Sequence, residues 1–174
     1  MPNTRPDIKP DIRPDTMNVL FLCTGNSARS LIAEGILRHR GGLSYQAFSA
    51  GSKPTGTPNP NAIVILQKHG IDTGFAASKS WDVFAGEAYG EMHMIITVCA
   101  NAAGETCPIW PGHPATAHWG VEDPAAVTGN MADIEAAFAR TYVQMDARMS
   151  ALLALGDLHL PAQLDAVRAI GDMS

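Results

Sequence analysis

An apolar run, Val19-Leu20-Phe21-Leu22, opens without a spacer into Cys23-Thr24-Gly25-Asn26-Ser27-Ala28-Arg29-Ser30, and helical periodicity follows through Leu31, Ile32, Ile36 and Leu37. A buried strand, a tight loop and a helix in immediate succession point to an α/β fold with that loop at the carboxyl end of a strand. Gly25 and Asn26 tolerate positive φ, so the loop can curl. Its backbone N–H groups then converge, joined by the unpaired donors of a helix starting near Arg29. The result is a cradle for a tetrahedral anion with a nucleophile at its centre. The same field favours a thiolate at Cys23, and Arg29 offers a planar fork for two oxygens of a phosphate-like substrate. Thr24, Gly25, Asn26, Ser27, Ala28, Arg29 and Ser30 are the candidate substrate-binding residues, and Cys23 and Arg29 the candidate catalytic ones.

The rest of the chain alternates strand and helix signals. Gly41-Gly42 stops the first helix, and Tyr45 to Ala50 suits a second strand. Asn59 is placed to cap a second helix with Pro60 at its first position, ending at His69-Gly70. A short helical segment is expected around Ser80 to Phe84, and a buried third strand from Met92 to Val98, with Cys99 at its end. Ala100 to Ala115 is rich in Gly, Pro and small residues and reads as a long surface loop, followed by a short fourth strand from Thr116 to Val121. Asn130 caps the longest helix, whose buried face is marked by Ile134, Phe138, Met145, Met149 and Leu152 or Leu153. A last helix spans about Ala162 to Ile170. The expectation is a three-layer α/β domain, with a central parallel four-stranded sheet and helices on both faces. Ligands in such folds bind beyond the carboxyl ends of the strands, where Cys23, Cys99 and Asp123 all fall.

Residues 17–174 are enough for a single catalytic domain. Ahead of them, Arg5-Pro6-Asp7-Ile8, Lys9-Pro10-Asp11-Ile12 and Arg13-Pro14-Asp15-Thr16 form a four-residue repeat whose prolines block regular helix. Residues 1–16 therefore read as a disordered or extended tail. It lacks the apolar stretch of a secretory signal and is too acidic for a usual transit peptide. A net charge of −5 argues against a nucleic-acid surface. No apolar run approaches the roughly 18 residues of a membrane span. Three cysteines are an odd and sparse set, which suits reduced thiols in a cytoplasm better than a secreted disulfide framework.

Cys99 and Cys107 are separated by Ala-Asn-Ala-Ala-Gly-Glu-Thr, a flexible stretch that a disulfide can close. Thiol–disulfide exchange gives them a purpose: Cys99 attacks Cys23 after an oxidised centre has bound, and Cys107 attacks Cys99 in turn. Two alternatives stand beside it. The pair can be ordinary free cysteines, one of them buried, or Cys99, Cys107, His113 and His118 can enclose zinc, although the close Cys pair of structural zinc sites is missing. His39 and His69 suit helix ends, where a cation complements the dipole. Asp123 is the candidate acid, because displacement at an oxyanion expels hydroxide and protonation lowers that barrier. Asp123-Pro124 is equally an ordinary turn starter.

The stretch from Val19 to Ser30, with Glu34 after it, resembles the low-molecular-weight protein tyrosine phosphatases and the arsenate reductases built on that fold. Cys99-Ala-Asn-Ala-Ala-Gly-Glu-Thr-Cys107-Pro, Trp110-Pro-Gly, His118-Trp119-Gly and Asp123-Pro124-Ala125 resemble the arsenate reductase branch. The resemblance runs from Met17 to about Ile170. It implies that Cys23 attacks arsenate within the loop amides and Arg29, that Ser30 stabilises the thiolate, that Asn26 shapes the loop and that Asp123 acts as the acid. It further implies a relay in which Cys99 attacks Cys23 to release arsenite and Cys107 resolves that bond into a Cys99–Cys107 disulfide. No bound cofactor is implied, only an external thiol reductant: thioredoxin, or glutathione with glutaredoxin. The biological role implied is arsenical resistance by detoxification in the cytoplasm. Ala100 departs from the Asp or Gly that relatives often carry there. The rival reading is a phosphatase that hydrolyses phosphotyrosine or small phosphate esters through a phospho-cysteine, for which Cys99 and Cys107 are dispensable. Relatives acting on phosphotyrosine usually carry a tyrosine after the Asp-Pro pair, where this chain has Ala125-Ala126.

Overall fold

A computed structural model describes residues 16–85, 89–100, 115–158, 160 and 162–173. The proline-rich repeat through Asp15, most of the loop after Ala100, including Cys107 and His113, and His159 lie outside the described residues. Four strands, β1 (Met17–Cys23), β2 (Tyr45–Gly51), β3 (Met94–Thr97) and β4 (Thr116–His118), form one sheet in the order β2-β1-β3-β4. Every pairing is parallel, with Cys23 opposite Gly51 on one side and Leu22 opposite Thr97 on the other. The helices are α1 (Arg29–Arg40), α2 (Pro60–Lys68), α3 (Met131–Ala154) and α4 (Leu164–Ile170). This is the parallel four-stranded α/β architecture expected.

Strand alternation sorts the core. Val19, Phe21 and Cys23 face the larger cluster, built with Ile32, Ile36 and Leu37 of α1, Phe138, Met145 and Met149 of α3, and Val167 of α4. Leu20 and Leu22 face the opposite side with Phe48, Phe84, Met92 and Ile95. Among the described residues that second face is covered by a 3₁₀ turn, Trp81–Phe84, and by Tyr89, with Phe48, Phe84 and Tyr89 in mutual ring contact. Continuous burial of β1 follows from its central place: it has strands on both edges and side chains on both faces.

The helix starts follow their caps. Asn59 Oδ1 accepts from the Asn61 N–H with Pro60 behind it, and Asn130 Oδ1 accepts from the Asp133 N–H at the head of α3. The short helix expected at Ser80 is the 3₁₀ turn, capped by Ser80 Oγ. Several boundaries differ from expectation. The third strand starts at Met94 rather than Met92 and ends at Thr97, with His93 N–H reaching Asn18 O just before it. The fourth stops at His118 instead of Val121; Trp119 N–H still reaches Thr97 O at 2.7 Å while its ring enters the core and donates Nε1–H to Val167 O at 2.9 Å. The last helix starts at Leu164 rather than Ala162. Thr16, placed in the tail by its sequence, is buried and donates its hydroxyl to Leu43 O at 3.0 Å.

Tyr45, at the start of β2, has a buried hydroxyl with no partner among the described residues. Burial first, then the Asp157 carboxylate, pushes its phenol from 10.0 up to about 12. The unfolded chain gives up this proton near pH 10 while the folded one keeps it, so stability falls as pH rises from about 10 towards 12. Tyr45→Phe is expected to raise stability by about 1 kcal/mol at neutral pH by removing the orphaned hydroxyl. It should also flatten that alkaline loss. Urea unfolding of both proteins at pH 7 and pH 11 checks both effects.

Candidate active site

Cys23 is the last residue of β1 and is 3% exposed. The chain then turns through residues 24–28 before α1 begins at Arg29, with Ala28 at the N-cap and no side-chain cap. Two donors address the sulfur. The Asn26 backbone N–H lies 3.2 Å from Sγ, and Ser30 Oγ lies 3.0 Å from it. Asn26 sits at φ 47°, the left-handed conformation that aims its N–H inward.

The loop is held from behind by a buried polar network. Asn26 Nδ2 donates to Ser30 Oγ and to Ser49 Oγ, both at 2.9 Å, while its Oδ1 accepts from the Lys79 N–H at 2.9 Å. The Ser49 hydroxyl donates to the carboxylate of Glu34, which is 1% exposed and also takes Arg38 at 3.1 Å. These contacts fix directions. Ser49 spends its proton on Glu34 and so accepts from Asn26, whose other amide hydrogen goes to Ser30; the Ser30 hydroxyl keeps its own proton for Sγ. Burial pushes the Glu34 carboxyl up, opposed by the Lys79 ammonium, the Arg38 guanidinium and the Ser49 hydroxyl. Burial likewise pulls Lys79 down, with Glu34 opposing and Arg38 adding to it.

On the open side, Arg29 is 5% exposed and donates from Nη1 to Val121 O at 3.2 Å. Its Nη2 lies 3.8 Å from Asp123 Oδ2, and the Asp123 side chain is 38% exposed, so this carboxylate can meet both the guanidinium and solvent. Its other oxygen caps the 3₁₀ turn Pro124–Ala126 through the Ala125 N–H at 3.0 Å. Asp123-Pro124 is thus a turn starter, and the Asp123 carboxylate stands beside Arg29 as well.

Cys99 lies just past β3, the strand beside β1, where Val98 N–H still pairs with Leu22 O at 2.9 Å. It is fully buried and disulfide-bonded; Cys23 is a free thiol. His118, named as a possible zinc ligand, meets Thr97 Oγ1 through Nδ1 at 2.7 Å. Burial, then the Arg148 guanidinium, pulls its imidazole below the ordinary value. Among the described residues no group of three or more His, Cys, Asp and Glu is placed to hold a metal ion. No helix among them is long and apolar enough to cross a membrane.

The structure therefore gathers Cys23, Asn26, Arg29, Ser30 and Asp123 at the carboxyl ends of the strands, with Cys99 beside them. Thr24, Gly25, Ser27 and Ala28 form the loop itself. Ser49 and Lys79 escape a reading by sequence. Glu34 was the visible hint, a carboxylate at helical spacing among Leu31, Ala33, Ile36 and Leu37, all buried.

A family model described as low molecular weight phosphotyrosine protein phosphatase matches residues 18–166. An arsenate reductase of Shouchella clausii is 33% identical over 139 residues, covering 80% of this chain and 96% of that protein. An arsenate reductase of Bacillus subtilis is 34% identical over 131 residues, covering 75% and 91%. Among solved structures, an arsenate reductase in its reduced state superposes with a TM-score of 0.59 at 25% identity, over 80% of this chain and 98% of that one. A thioredoxin-dependent arsenate reductase of Corynebacterium glutamicum gives a TM-score of 0.57 at 24% identity, a likeness of fold; it covers 83% of this chain but 65% of that protein.

Proposed function

The chain belongs to the low molecular weight phosphotyrosine protein phosphatase family, and from that premise we propose that it is an arsenate reductase, converting arsenate to arsenite through Cys23, Cys99 and Cys107. The observation that carries this reading beyond oxyanion binding is the disulfide at Cys99, one strand away from a free Cys23 in an anion cradle. Hydrolysis through a phospho-cysteine needs no second cysteine at that place.

The electron balance follows from the thiols. Cys23 sulfur bonds to arsenic, and hydroxide leaves as water when Asp123 supplies a proton. Arg29 and the loop N–H groups hold the remaining oxygens as charge shifts onto them. Cys99 thiolate then attacks Cys23 sulfur. The S–As bond breaks with its electron pair remaining on arsenic, which leaves as arsenite, and a Cys23–Cys99 disulfide forms. Cys107 attacks Cys99, frees Cys23 and closes the Cys99–Cys107 disulfide. Two thiols have given two electrons. An external thiol reductant restores them, and a thioredoxin-type protein fits, as the Corynebacterium relative is thioredoxin-dependent by name.

Selectivity over phosphate comes from redox commitment, since phosphorus in phosphate is not reduced by thiols. The test is one turnover by fully reduced protein without added reductant, with mass spectrometry of the disulfides. One arsenite per chain and a Cys99–Cys107 bond are expected. Cys99→Ser should stall before arsenite release, and Cys107→Ser should trap a Cys23–Cys99 bond. Cys23-dependent hydrolysis of phosphate esters that survives both substitutions, without arsenite, would assign the chain to the phosphatase reading.

A further inference from the structure

Arg148 projects from α3 into the interior and is 5% exposed. Among the described residues its guanidinium is met by main-chain carbonyls rather than by a carboxylate. Nη1 donates to Trp119 O at 2.8 Å and Gly120 O at 3.2 Å. Nη2 donates to Gly171 O at 3.3 Å and Met173 O at 3.1 Å. A buried cation with only dipoles for partners costs more than the apolar side chain that Met145, Met149 and Leu152 would lead one to expect beside them. The position therefore calls for something that only a forked donor supplies.

What the fork joins is specific. Its four acceptors lie on two segments in direct contact: a Cβ on Gly171 would fall 2.0 Å from His118 O and 3.0 Å from Trp119 Cδ1. The first segment leads straight into the active site. One residue beyond Gly120, Val121 takes the Val98 carbonyl through its N–H at 3.2 Å and gives its own carbonyl to Arg29 at 3.2 Å. Two residues further, Asp123 faces Arg29 Nη2. This stretch follows an edge strand three residues long; beyond it Trp119 N–H reaches Thr97 O at 2.7 Å and Val121 N–H reaches Val98 O, while the Trp119 and Gly120 carbonyls are met by the Arg148 fork.

We propose that Arg148 is a positioning residue for the reaction: its fork fixes the Trp119 and Gly120 carbonyls so that Asp123 meets Arg29 beside Cys23. The inference rests on Asp123 being the acid of the proposed arsenate reduction. It requires Arg148 to act through Asp123, and a double-mutant cycle reads that dependence directly.

The rate of the first arsenite turnover is measured for the parent, Arg148→Gln, Asp123→Asn and the double variant, with urea midpoints recorded for each. Asp123→Asn is expected to slow the turnover about 100-fold. Arg148→Gln should slow it about 10- to 100-fold in the native background by misplacing the acid. In the Asp123→Asn background it should add no more than about a twofold loss. Arg148→Lys, which keeps charge and length without the fork, should recover part of the rate. An equal fold-loss in both backgrounds would make Arg148 structural and overturn the proposal, as would an unimpaired Arg148→Gln. A silent Asp123→Asn would overturn the acid assignment by itself and the proposal with it. If Arg148→Gln does not fold, the same cycle is read with Arg148→Lys.

Discussion

Cys23→Ser is expected to abolish arsenite formation, with a loss of at least about 10⁴-fold in turnover, while binding of arsenate or phosphate persists. The two halves of that result have separate causes. Serine keeps the volume and polarity of the position, and the Asn26 N–H, the Ser30 hydroxyl and Arg29 belong to a loop fixed by Glu34, Ser49 and Lys79, none of which touches the substituted atom. The cradle should therefore survive. The chemistry should not, because sulfur is both the nucleophile and one of the two electron donors, and an alkoxide that attacks arsenic offers Cys99 nothing to form a disulfide with. Arsenite assay together with the thermal shift produced by phosphate separates the two. A variant that loses both binding and turnover would mean that the sulfur itself organises the loop.

Gly51→Ala is expected to act in the opposite way, by wrecking the cradle while leaving every catalytic atom in place. Gly51 ends β2 directly opposite Cys23, and its N–H pairs with Lys79 O at 2.9 Å. A Cβ there would stand 2.4 Å from Thr24 O and 3.0 Å from the Asn26 nitrogen. Both are main-chain atoms of the loop, so no side chain can swing aside to relieve the overlap. The loop must lift, and the Asn26 N–H moves off the sulfur. We expect a loss of at least about 100-fold in turnover and about 1–3 kcal/mol in stability, read by single-turnover arsenite release and by urea unfolding. Full activity in this variant would show that the loop does not need its observed conformation.

These two substitutions also mark where a sequence speaks and where it is silent. Cys23 is legible because strand, loop and helix are contiguous: local propensity, Gly25 and Asn26 in the curl, and Arg29 at the helix start all refer to the same few residues. The Asn59-Pro60 and Asn130 helix starts are legible for the same reason, since a cap and its recipient N–H lie within three residues of each other. Gly51 looks like any strand-ending glycine until β2 is paired with β1. Ser49 and Lys79 become meaningful only when α1, β2 and the segment after α2 meet behind the loop. Arg148 is harder still, because its partners are carbonyl oxygens, which every residue carries and no letter announces. The fourth strand is shorter than its apolar letters suggest: Trp119 and Val121 are buried and still bond to Thr97 and Val98 through their N–H groups, but regular pairing ends at His118.

The order β2-β1-β3-β4 gives the two halves of the site unequal kinetic security. Cys23 rides on a strand locked between two neighbours, so its backbone can be released only when the domain as a whole comes apart. The segment carrying Asp123 follows a three-residue rim strand and is held past it by two further bonds to Thr97 and Val98, by the buried Trp119 ring and by the Arg148 fork. The nucleophile's half of the site is therefore set by the sheet, and the half facing it by a few contacts with α3 and α4, so a change far from the sulfur can disturb the second while sparing the first.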